Sequence, residues 1–168
     1  MKKIARAAIL VVLFFSLFVT VRAEAGKKGV MRVNSGSAIP SLGLVIDANY
    51  DSRLDELTPG YKMVSVAIAN QSVNILQLSL EKDVWKVKLA GSRKYHKAIH
   101  NLRTTDPKAW QAMPQRVREL TAYPVFLPIG GSMVVDLFLP DTLDLDLLTE
   151  VSVRFKAIGK QIDVVVRD

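Results

Sequence analysis

Cysteine is absent from the 168 residues and histidine occurs only twice. The first absence excludes disulfides, cysteine nucleophiles, thiolate metal sites and a lipid-carrying cysteine behind an export signal. The chain must therefore hold together by burying apolar surface. Glycine-rich phosphate loops are missing as well, and no apolar run after residue 21 is long enough to span a membrane.

What is present begins with Lys2, Lys3 and Arg6, followed by the uncharged stretch Ala7 to Val21. A positive region, fifteen apolar-dominated residues and a small-x-small site describe a secretory signal peptide over residues 1–25. Cleavage falls after Ala25, giving Gly26 as the new terminus, or after Ala23. Removing residues 1–25 takes away Lys2, Lys3, Arg6, Arg22 and Glu24, so the net charge falls from +7 to +4. Much of the basicity belongs to the signal, and charge alone gives no reason to expect nucleic acid as a partner. The expected location is periplasmic or secreted, with no transmembrane segment after cleavage.

Residues 26–40 are rich in Gly, Ser and Lys and read as a flexible leader or a weak first strand ahead of a domain over 41–168. Alternation of period two then dominates. Leu42–Ala48, Tyr61–Ala69 and Val73–Leu80 are expected strands, with Val64, Val66 and Ile68 on one face. Val84–Ala90 places Trp85, Val87 and Leu89 inward and Lys86 and Lys88 outward. Tyr95–Leu102 is expected to pair with it. Met133, Val135, Leu137 and Leu139 alternate up to Pro140, and Val151–Ala157 forms a hairpin with Ile162–Arg167 through Gly159-Lys160.

One segment breaks this pattern. Trp110, Met113, Val117 and Leu120 recur at helical spacing within about residues 106–121. Asp106-Pro107 supplies a cap and a first-turn proline, and Pro114 divides the insertion into two short helices or kinks it at Met113. The stripe is expected to cap the open end of the core. Many short strands with one helical insertion favour a mainly β fold of two packed sheets.

Tyr61-Lys-Met-Val-Ser-Val-Ala-Ile-Ala-Asn70, ending at a turn, and Leu127-Pro-Ile-Gly-Gly-Ser-Met-Val-Val-Asp-Leu-Phe-Leu-Pro140 resemble strands of small immunoglobulin-like domains in exported bacterial proteins. The resemblance implies an immunoglobulin-like β-sandwich. It also implies adhesion, docking or chaperone roles more than catalysis. The helical insertion and the lack of a cysteine pair depart from the commonest members.

The candidate partner-binding surface is the basic stretch around Lys86, Lys88, Arg93, Lys94 and Lys97, with Trp85 and Tyr95 interleaved. Its expected partner is an envelope protein or an anionic envelope polymer, weighed against an ordinary solvated sheet face. Asp136, Asp141, Asp144, Asp146 and Glu150 form an acidic stretch, and the loop over residues 141–150 offers oxygen ligands for calcium as the alternative. EF-hand spacing and its glycine are absent. A basic hairpin beside an acidic loop also allows head-to-tail self-association.

His96 and His100, on one strand face, would stand about 13 Å apart at roughly 3.3 Å per residue, too far for one metal ion. Gly130-Gly131-Ser132 lacks the nucleophile elbow, and the paired acids Asp55-Glu56 sit in a polar loop. The expectation is a binding module without catalytic residues, metal or cofactor; a small hydrolase is the remaining alternative.

In a bacterial host, the exported chain is expected to begin at Gly26 or Glu24 by N-terminal sequencing. Recovery of exported protein that still begins at Met1 would rule out a cleaved signal.

Overall fold

The computed structural model describes residues 29–121 and 123–166. The expected signal peptide lies outside them. The protein is mainly β, with several sheets and a few short helices.

In chain order the strands are β1 (Val30–Asn34), β2 (Ser37–Ile39), β3 (Leu44–Tyr50), β4 (Tyr61–Asn70), β5 (Leu76–Gln77), β6 (Val84–Leu89) and β7 (Tyr95–Lys97). Three short helices follow, α1 (Leu102–Thr105), α2 (Pro107–Ala112) and α3 (Gln115–Leu120). The chain then returns to strands β8 (Phe126–Leu127), β9 (Ser132–Pro140), β10 (Leu148–Arg154) and β11 (Gln161–Val165). One sheet has the order β1-β11-β10-β6-β7 and a second the order β2-β3-β4-β9, while β5 and β8 form a small ribbon. All named pairings are antiparallel except β1 with β11.

Residues 30–39, expected as a flexible leader or a weak first strand, thus supply two strands, one to each main sheet. The switch is local: the Ser35 amide donates to Val165 O of the first sheet (2.8 Å) and the Gly36 amide to Ile46 O of the second (2.9 Å). Gly36 turns the chain there with φ +70°, a region open to glycine without steric penalty. The buried Ser35 hydroxyl accepts from the Ala48 amide and donates to Asp47. Backbone pairing holds this segment, together with Ile39, which is in the main core, and Met31 and Val33, which pack against it.

Side chains of the two main sheets meet in one core. Val64, Val66, Ile68, Val135, Leu137 and Leu139 come from the four-stranded sheet, and Trp85, Val87, Val151, Val153, Ile162 and Val164 from the five-stranded one. These are the residues that alternation selects. Trp85 packs edge-on against Phe155, ring centroids 5.7 Å apart. Its indole N–H reaches the Tyr123 hydroxyl (3.3 Å), which in turn donates to Asp83 (2.7 Å).

Two expectations change in detail. Of Val73–Leu80 only Leu76–Gln77 is strand, because Val73 is 85% exposed and Ile75 also faces solvent. The helical segment starts earlier than expected, at Leu102, and breaks at Met113–Pro114 as the proline demands. Asp106 accepts from the Ala109 amide and Pro107 opens α2.

The helical stripe does not cap the open end of the core. Leu102 and Met113 pack with Met63 and Phe138 in a second cluster, joined by Trp110 and Val117, while Leu120 is 75% exposed. Met63 and Phe138 project from the face of β4 and β9 opposite the main core, so the helices cover the outer side of that sheet.

The loops between the sheets are tied by Asn70, which is fully buried. Its Nδ2 donates to Asn74 O (2.8 Å) and Leu127 O (3.1 Å), and its Oδ1 accepts from the Ser72 amide (3.1 Å) and hydroxyl (2.7 Å). Gly43 lies beneath it: a Cβ there would stand 2.6 Å from the Ser72 Cα, so only glycine fits. Asn70→Asp would aim a buried carboxylate oxygen at two carbonyls. It is expected to lower unfolding free energy by at least about 2 kcal/mol. A lower urea midpoint with unchanged slope is the check, and an unmoved midpoint would show that Asn70 does not hold these loops.

Candidate functional site

The outer face of the five-stranded sheet carries three of the five basic candidates. Cross-strand register aligns Arg32, Asp163, Ser152, Lys86 and Lys97 in one row running through all five strands. The next row is Asn34, Val165, Glu150, Lys88 and Tyr95. Lys86 and Lys97 are exposed and directly opposite each other, an arrangement of like charges that is unfavourable on its own. Arg93 and Lys94 are exposed in the connection between β6 and β7, just beyond the strand ends.

The acids of this face lie beneath the basic side chains. Glu150, buried in β10, accepts from Arg32 Nη2 (2.6 Å) and from the Tyr95 hydroxyl. Asp163 is also buried and accepts from Gln161 Nε2 (2.8 Å). Hydrogen bonding to Glu150 raises the Arg32 pKa, although the guanidinium side chain is 56% exposed, which keeps the pair partly screened. Burial and then the bond to Glu150 push the Tyr95 hydroxyl up. Lys88 Nζ stands 5.8 Å from the Tyr95 ring centroid, within cation–π range. Among the described residues none of the lysines forms an ion pair.

The acidic stretch is not brought together. Asp136 is on the four-stranded sheet, Glu150 on the five-stranded one, and Asp144 caps a short 3-10 turn by accepting from the Asp146 amide (3.2 Å). Among the described residues no group of three or more His, Cys, Asp or Glu gathers as a metal site. Glu150 therefore leaves the loop reading: the strand begins at Leu148, with a register shift between Leu148 and Glu150.

The histidines also part company. His96 lies on β7 opposite Val87, whereas the chain leaves that sheet and Ile99 bridges Phe138 on β9. The strand expected along Tyr95–Leu102 therefore ends at Lys97, with one further backbone bond from the Ala98 amide to Trp85 O (3.0 Å), and the two rings do not share one strand. His100 Nε2 is 2.7 Å from Leu80 O, which calls for the tautomer with the proton on Nε2. Burial lowers its pKa below the ordinary imidazole value, against the opposing pull of the bond to Leu80.

Beside His100 a cavity of about 290 Å³ separates the helical segment from the outer side of β9. Trp110, Arg118, Asp136, Tyr123 and Phe138 line it. Asp136 accepts from the Ser65 hydroxyl (2.8 Å), its cross-strand neighbour. Arg118 Nε is buried without a hydrogen-bond partner. Sequence reasoning missed this site. The available signal was Asp136, a carboxylate on the same strand face as the buried Phe138.

Comparison with protein-family models, curated proteins and solved structures finds no match for this chain.

Desolvation raises the Asp136 pKa above its ordinary 3.8, against the opposing pull of Ser65. Its stabilising share is complete below the unfolded-state pKa and is lost as pH rises through the folded-state value. Asp136→Asn, which keeps an acceptor for Ser65, is expected to match wild type at acid pH and become the more stable form above the carboxylate range. Urea midpoints across pH check this; a variant equally destabilised at every pH would contradict it.

Proposed function

We propose that this chain is an exported, non-enzymatic recognition module of the cell envelope, built as an immunoglobulin-like sandwich. Its five-stranded sheet engages an anionic envelope polymer or the acidic face of an envelope protein. The fold assignment is supported by two sheets sharing one core, and by a parallel pairing that joins the first strand to the last. Export is supported by the N-terminal pattern of charge, apolar run and small residues.

One observation carries the binding reading: Lys86, Lys88 and Lys97 occupy adjacent rows of a single face, while the acids of that face are buried and already bonded. Solvent therefore meets ammonium groups rather than a balanced mosaic. Arg93 and Lys94 extend the same positive field beyond the strand ends. Such a field accelerates encounter with an anionic partner and weakens as salt screens it.

The protein is expected to bind heparin, used as a model polyanion, and to elute with salt. Lys86→Glu, Lys88→Glu and Lys97→Glu together should lower the eluting salt more than the same charge change made at Lys108, Arg116 and Lys160. Equal effects from the two triple variants would reduce the interaction to net charge and overturn the assignment of this face.

A further inference from the structure

We propose that the cavity between α2–α3 and β9 binds a small zwitterion, an α-amino acid being the simplest, with the ligand carboxylate on Arg118 and its ammonium group on Asp136. The inference is independent of the cationic sheet face, since the cavity belongs to the other sheet and its helical cover.

Arg118 forms no ion pair among the described residues, and its Nε is buried with no acceptor. A guanidinium partly withdrawn from water with an empty donor is costly until an acceptor arrives, and its fork matches a carboxylate. Asp136 has the opposite need. One oxygen is held by Ser65, and no cation among the described residues pairs with the carboxylate. Both groups line the same space, yet they do not meet within ion-pair distance.

Arg103, exposed to solvent, also lines the cavity, so the lining offers charge of both signs. An anion placed on Arg118 faces the Asp136 carboxylate, and a cation placed on Asp136 faces Arg118. A molecule carrying both charges satisfies both groups at once. The His100 ring lines the same space. Trp110 and Phe138 provide an apolar wall for a short side chain. A volume of about 290 Å³ lies at the small end of ligand pockets, which suits an amino acid rather than a longer peptide.

Isothermal titration of the purified protein with L-alanine, L-leucine and L-phenylalanine tests this directly. At least one should bind. N-acetyl-L-leucine, lacking the ammonium group, and L-leucinamide, lacking the carboxylate, should bind about tenfold or more weakly than leucine, the weight of one charge-assisted hydrogen bond.

Arg118→Gln and Asp136→Asn should each weaken binding by a similar factor, while Lys86→Glu on the other sheet leaves it unchanged. The ligand analogues give an answer even if a cavity variant fails to fold. Binding by none of the amino acids overturns the proposal. Equal binding of the N-acetyl form would indicate an anion site, and equal binding of the amide a cation site; either result also overturns it.

Discussion

Phe138 lies on the far side of its strand from the main core, and most of the distinctive architecture follows from that position. Leu137 and Leu139 fill the space between the two sheets, so β9 is apolar on both faces where Phe138 projects. Met63, its partner on β4, adds to the apolar surface that would otherwise be exposed. Burying a side chain of this size contributes about 1.5–3 kcal/mol. Leu102, Met113 and Trp110 supply that burial from the helical segment. Pro114 prevents a single straight helix from lying along the sheet, so the cover closes on Phe138 and leaves a cavity beside Asp136, two residues earlier on the same face.

Buried polar side chains tie together places where a disulfide is unavailable. Ser35 and Gly36 carry the chain from one sheet to the other. Asp83 accepts from the Ser79 amide, the Tyr123 hydroxyl and the Lys156 amide, joining three segments distant in sequence. Asn70 does the same for the loops on either side of β5 and β8. Asp83 and Asn70 are short side chains that each serve more than one backbone group. Hydrogen bonding therefore specifies the connections while apolar burial supplies the driving force.

Alternation made β4, β6, β9 and β10 legible because each has one face in the core, and it also placed Lys86 and Lys88 together on the opposite face. It was weakest at the start of the domain, over two short strands that mix polar and apolar residues. β1 and β2 hold three polar residues in eight, and their partners are a strand at the far end of the chain and β3 across a tight turn. Arg32 was hidden with them, and so was the partner of Glu150. The helical stripe was readable from spacing, but its docking site depended on the outer faces of two strands that spacing treats separately. Glu150 was drawn into the acidic loop by composition, although its parity with Ser152 and Arg154 already matched the solvent side of β10.

The two charged regions follow opposite electrostatic arrangements. On the five-stranded sheet, Glu150 is satisfied from within by Arg32 and Tyr95, so the lysines are left to face outward. Under the helices, Ser65 holds Asp136 against β4 while Arg118 hangs from the cover, and the two charges stay apart. Phe138 and Met113 pack together between that cover and the outer face of β9. The same apolar contact that makes the helices necessary therefore brings Arg118 and Asp136 to the lining of one cavity, where no ion pair joins them.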